Sequence, residues 1–139
     1  MTAGRVLREA KAIVARAHTP TQLAVSARGV TVRPLDPAAV AWSSTGALGV
    51  VAPWMSRDGK VWFDLTEDGN RAFDLLNDAA RLQGYRQDPD APIADVDKDG
   101  LTAVLACFDK AIRLAPDERR RRPLAANAGT GASPRGASS

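Results

Sequence analysis

Three stretches of this chain repeat apolar residues at the spacing of an α-helix, and those repeats leave few fold classes open. Residues 3–17 place Val6, Leu7, Ala10, Ile13, Val14 and Ala17 on one face and Arg5, Arg8, Glu9, Lys11 and Arg16 on the rest. Residues 66–84 start with Thr66 as a helix cap and Glu67 and Asp68 in the first turn, where carboxylates oppose the positive end of the helix dipole. They continue with a wide stripe of Ala72, Phe73, Leu75, Leu76, Ala79, Ala80 and Leu82, and Gly84 stands where a helix stops. Residues 101–115 turn Leu101, Val104, Leu105, Phe108, Ala111, Ile112 and Ala115 inward, and Pro116 ends them. Each stripe has the 3.6-residue period and must be covered by another element, so the chain is read as mainly α.

The intervening segments carry weaker signals. Residues 36–53 read as a further helix, with Asp36 as N-cap and Pro37 in the first turn, where its missing N–H costs nothing. Val40, Ala47, Leu48 and Val51 supply its apolar surface, Gly46 and Gly49 allow close packing, and Pro53 ends it. Residues 21–35 read as a loose pair of short strands around Arg28-Gly29. Residues 54–63 read as a hairpin whose Asp58-Gly59 turn would set Trp54 opposite Phe63. Residues 85–100 read as a loop rich in proline and aspartate. The expected fold class is a small bundle of about four helices with a short β-hairpin and a disordered C-terminal tail. Residues 1–115 form the compact helical domain, and 116–139 form a basic tail too poor in apolar residues to bury a core.

The net charge of +3 conceals a strong polarity. Residues 1–118 hold 14 basic and 16 acidic side chains, a net of −2, and the tail adds five arginines with no acid after Glu118. Within the body, residues 1–57 carry +5 and residues 58–99 carry −6. Such asymmetry bears on association more than on fold. A single cysteine, Cys107, rules out an internal disulfide framework. The N-terminus lacks the apolar core of a secretory signal, and no run approaches the roughly 18 apolar residues of a membrane span. A cytoplasmic protein with no membrane partner is therefore expected.

The most specific-looking short motif is "DVDKDG", residues 95–100, which spells the first half of an EF-hand loop. A calcium loop needs a bidentate glutamate at its twelfth position, and counting from Asp95 that position is Ala106. Pro89 and Pro92 also interrupt the place of the incoming helix. The motif is read instead as an acidic loop whose Asp99 or Thr102 caps the following helix. His18 and Cys107 are each the only residue of their type, so no zinc cluster or cysteine–histidine pair is expected, and the glycine-rich phosphate loops are absent. No catalytic residue, metal or cofactor is expected, and an enzyme is not the leading reading.

Two resemblances bear on function. "RDGKVWFDLTEDGNRAFDLL" resembles the wing and following helix of MarR-type winged-helix regulators, matching at Leu65, Thr66 and Gly69. Upstream, "GALGVVAPW" offers almost no side chains for bases or phosphates where a recognition helix belongs. A longer resemblance, over roughly residues 3–115, is to an uncharacterised family of small actinobacterial and phage proteins, a domain of unknown function. Its W-C-x-x-G-A-L motif is matched by Trp42, Gly46, Ala47 and Leu48, its N-D-x-P-G loop by Asp95, and its last helix by Val104, Leu105, Phe108, Asp109, Ala111 and Ile112. The family's Cys, Asn and Pro are Ser43, Ala94 and Asp97 here. This resemblance implies a compact helical fold and a mobile-element context, without a mechanism. The expected function is a non-enzymatic accessory protein, such as an inhibitor encoded by a phage or mobile element. It would bind a protein partner through the acidic loop of Asp88, Asp90, Asp95, Asp97 and Asp99. The alternative is DNA binding through a wing at residues 54–63, with Arg57, Lys60, Arg119, Arg120, Arg121 and Arg122 on nucleic-acid phosphates.

Overall fold

The structure is a computed structural model that describes residues 2–54 and 64–116. Helix α1 (Ala3–Arg16) begins where the Thr2 hydroxyl accepts a hydrogen bond from the Arg5 amide at 3.2 Å. After α1 the chain runs extended beside Trp42: the Thr19 amide donates to the Trp42 carbonyl at 3.0 Å, and the Trp42 amide donates to the Ala17 carbonyl at 3.1 Å. Strands β1 (Ala24–Ser26) and β2 (Ala39–Trp42) form a two-stranded antiparallel sheet, with Ala24 opposite Trp42 and an irregularity between Val25 and Ser26. The Trp42 indole N–H donates to the Pro34 carbonyl at 2.9 Å and pins the long connection between the strands.

The helix expected over residues 36–53 starts later than the sequence suggests. Its first part is β2, and α2 spans Ser44–Val51. The Asp36 carboxylate caps a turn, accepting from the Ala38 amide at 2.8 Å, while Ser43 caps the helix, accepting from the Gly46 amide at 3.1 Å. The alternation of "AVAW" finds a pairing partner in β1, and tertiary pairing overrides the nearby proline signal. Beyond α2, Pro53 lies opposite Leu65, and the Trp54 amide donates to the Asp64 carbonyl at 3.1 Å. That is an antiparallel approach, one residue out of step with the register that would pair Trp54 with Phe63. Residues 55–63, with the Asp58-Gly59 turn, Arg57 and Lys60, lie outside the described residues, as does the tail from residue 117.

Helix α3 (Glu67–Leu82) begins as expected, with the Thr66 hydroxyl accepting from the Gly69 amide at 3.2 Å. It ends at Gly84 in a Schellman arrangement: the Gly84 amide donates to the Arg81 carbonyl and the Tyr85 amide to the Ala80 carbonyl, both at 3.0 Å. The loop expected over residues 85–100 is partly helix, and α4 (Pro92–Asp99) brings the described helices to five. Pro92 suits a first turn, and Ile93 and Val96, three apart, face inward fully buried. Gly100, at φ 106° and ψ 178°, then turns the chain directly into α5 (Leu101–Leu114). That backbone region is essentially closed to residues with a Cβ. No side chain caps α5, so neither Asp99 nor Thr102 plays that part.

Helices α1, α3 and α5 enclose the core, and α2 and α4 close it from the side. Phe108 is the largest fully buried side chain and shares one apolar cluster with Leu7, Leu48, Leu76, Ile93 and Val104. Gly46 lets α2 lie flush on the segment before β1: a Cβ there would sit 1.7 Å from the Leu23 carbonyl oxygen. Two residues expected to face inward, Leu82 and Leu101, are instead 65% and 37% exposed, and Leu114, outside the α5 stripe, is 40% exposed.

Candidate functional site

The chemically capable side chains of the described core converge on Asp97. One of its oxygens, Oδ1, accepts three hydrogen bonds: from His18 Nε2 at 2.9 Å, from the Ser44 amide at 3.0 Å and from the Ser44 hydroxyl at 2.7 Å. A carboxylate offers only lone pairs, so the imidazole presents a protonated Nε2 to it. The local folding of each partner is plain. His18 is held by the bridge between the end of α1 and Trp42, and Ser44 is the first residue of α2. Asp97 stands in α4, on the side facing away from solvent, and is 2% exposed. Ser43 caps α2 from within, and Asp97 supplies a second, tertiary cap to the same N-terminus, where the helix dipole favours negative charge.

This cluster has the residue types of a nucleophilic triad in the wrong order. The serine hydroxyl and the imidazole each bond Asp97 rather than one another, so the histidine does not stand where it would take the serine proton. Ser44 is fully buried and only 7% of the His18 side chain is exposed. Nearby, Cys107 is fully buried and its thiol donates to the Leu76 carbonyl at 3.5 Å. Burial, with a smaller contribution from the Asp97 charge, pushes this thiol up to about 12, which keeps it from acting as a thiolate. These groups hold elements together.

The five aspartates expected to form one acidic surface are divided by α4. Asp95 and Asp97 are buried. Asp95 Oδ2 accepts from the Asp88 amide at 2.9 Å, and Asp88 Oδ1 accepts from the amides of Asp90 and Ala91 at 3.0 and 3.1 Å. Asp99 Oδ2 takes the Tyr85 hydroxyl at 2.6 Å, a bond that raises the phenol above its ordinary value. Asp90 and Asp99 remain exposed, with Asp88 half-buried. Among the described residues no group of three or more histidine, cysteine, aspartate or glutamate side chains is placed to hold a metal ion. Sequence reasoning missed Asn77, whose Oδ1 accepts from the Ile93 amide at 3.0 Å and caps α4 from α3. It also missed Ser44. The available signals were a polar residue inside an apolar stripe and a tandem serine before an apolar helix.

An open groove lies at the C-terminal ends of α3 and α5. Leu76 meets Cys107, and further along both helices Leu82 and Leu114 flank one cavity, so the two helices run in the same direction. The cavity holds about 600 Å³ and is lined by Leu75, Asp78, Arg81, Leu82, Arg86 and Leu114. Leu75, Asp78 and Leu82 share one face of α3 by their spacing. Arg81 is tied down, donating to Asp78 Oδ1 at 3.0 Å and to the Pro89 carbonyl at 3.1 Å. Arg86 is exposed and has no side-chain partner among the described residues.

No protein-family model, no curated protein and no solved structure matches the chain. No helix among the described residues is long and apolar enough to cross a membrane.

Proposed function

We propose that the protein acts by binding another protein, and that the groove between the ends of α3 and α5 is its contact surface. The observation that carries this reading is the exposure of Leu82 and Leu114 at the matching ends of two adjacent helices, around an open cavity of about 600 Å³. Paired exposed leucines in a concave setting gain from being covered by a partner. The burial of His18, Ser44, Asp97 and Cys107 in mutual or backbone bonds also favours binding over catalysis. The resemblance to small actinobacterial and phage proteins supports an accessory or inhibitory role in a mobile-element setting. The DNA-binding alternative depends on Arg57, Lys60 and Arg119–Arg122, which lie outside the described residues, and no feature of the described fold favours it.

The test is affinity capture from the native host with the wild-type chain and with a Leu82→Glu, Leu114→Glu double variant, followed by identification of the retained proteins. One stoichiometric partner kept by the wild type and lost by the folded double variant is the expected result. Equal recovery by both chains, or none by either, overturns the reading.

A further inference from the structure

We propose that the groove's partner is a second copy of this chain, docked face to face about a two-fold axis; this deepens the binding function just proposed and rests on it. The charges around the groove decide the kind of partner. The lining itself holds Asp78, Arg81 and Arg86 beside its leucines. Around it, Arg113 precedes Leu114, and Asp88 and Asp90 follow Arg86 in the loop that Arg81 ties down through the Pro89 carbonyl. The rim therefore carries both signs. A partner of uniform charge, acidic or basic, meets repulsion at part of it. A surface of mixed sign needs an occupant of mixed sign around an apolar centre, and the same face of a second copy has that composition.

The spacing of these groups supplies the register. Leu82, 65% exposed, lies midway along the chain between Asp78 and Arg86, and all three line the groove. Turning a second copy by half a rotation about an axis at Leu82 lays the two Leu82 side chains together. It also sets Asp78 of each copy against Arg86 of the other. Both groups are available for that contact. Asp78 Oδ1 takes Arg81 at 3.0 Å, while its Oδ2 has no partner among the described residues. Arg86 is exposed and has no side-chain partner among them. Asp88 does not compete for it, because its carboxylate accepts from the amides of Asp90 and Ala91.

The two kinds of group do different work. Covering Leu82 and Leu114 of both copies drives association. The two cross-copy ion pairs are exposed to solvent, so they fix orientation and exclude wrong partners more than they add affinity. A contact of this size gives a reversible dimer, with a dissociation constant on the order of 10 μM.

The experiment is sedimentation velocity of the full chain at low salt, from about 1 to about 500 μM. A monomer–dimer equilibrium is expected, and Leu82→Glu should weaken it about tenfold or more. Asp78→Arg alone and Arg86→Asp alone should each weaken it about tenfold, because like charges then face each other at both contacts. An equimolar mixture of those two variants should recover association, since each contact again holds one arginine and one aspartate. All three positions are exposed, and far-UV circular dichroism checks that each variant folds. A wild-type chain that stays monomeric over this range, a dimer indifferent to Leu82→Glu, or a mixture no stronger than its separate components overturns the proposal. Host capture separates this result from the binding function. Retention of the untagged chain itself through Leu82 and Leu114 supports both. If the chain stays monomeric while capture of a different protein still depends on those leucines, the binding function stands and the second copy falls.

Discussion

Replacing Asp97 by alanine tests the account of the core most severely. The substitution removes an acceptor that is 2% exposed and strands three donors: His18 Nε2, the Ser44 amide and the Ser44 hydroxyl. Hydrogen bonds to a charged group contribute about 1.5–3 kcal/mol each, so the gross loss is on the order of 5–9 kcal/mol. Water entering the vacated space and rotation of the Ser44 hydroxyl recover part of it. A net loss of about 3–5 kcal/mol is expected, the range found when one partner of a buried pair is removed. For a domain stable by roughly 5–15 kcal/mol, that is a large fraction of the total. Asp97→Asn keeps a carbonyl oxygen in place and loses the charge, so it is expected to cost about 1–2 kcal/mol. Urea unfolding followed by circular dichroism reads both values against the wild type. If Asp97→Ala fell within about 0.5 kcal/mol of the wild type, or Asp97→Asn cost as much as Asp97→Ala, acceptor geometry at Oδ1 would not be what joins α1, α2 and α4.

Three further outcomes follow from local geometry. Gly46→Ala puts a Cβ 1.7 Å from the Leu23 carbonyl oxygen. The roughly 1 kcal/mol gained in helix propensity is outweighed, and a loss of about 3 kcal/mol or more in thermal or urea unfolding is expected. Cys107 ionises near 9.0 when unfolded and at about 12 in the fold. The folded chain therefore binds more protons between those values. Its contribution is intact below pH 9 and is lost as pH rises towards 12, by a few kcal/mol at about 1.4 kcal/mol per unit. Urea midpoints measured from pH 8 to pH 11 should converge between wild type and Cys107→Ala, and parallel curves would contradict the assignment. Thr66→Ala removes the acceptor for the Gly69 amide. It should cost about 1 kcal/mol, read as a lowered unfolding midpoint.

What could be read from the sequence follows the range over which each interaction acts. α1, α3 and α5 were legible to within a residue or two because their signals lie inside each helix: periodic stripes, Thr66 at one end of α3 and Gly84 at the other. The second helix was misplaced because Asp36 and Ser43 are both good caps, and the choice between them was made by β1, which draws Ala39–Trp42 into a strand. α4 was missed altogether. Its eight residues begin at a proline, carry three aspartates and have no local cap, so nothing within the segment reads as a stable helix.

The two least legible helices are also the two capped from elsewhere in the fold. Asn77 of α3 accepts from the Ile93 amide at the start of α4, and Asp97 of α4 accepts from the Ser44 amide at the start of α2. Each short helix thus depends on its neighbour: α3 supports α4, and α4 supports α2. His18 ties the end of α1 to the same carboxylate. Read locally, Asp97 belonged to a D-x-D-x-D-G string and looked like surface charge. In the fold, the alternation that suggested a calcium loop is wound into a helix. There Asp95 and Asp99, four residues apart, share one side, and Asp97 points the other way, into the protein. The 3.6-residue period therefore turned one acidic motif into two roles, a buried tertiary cap at Asp97 and loop contacts at Asp95 and Asp99.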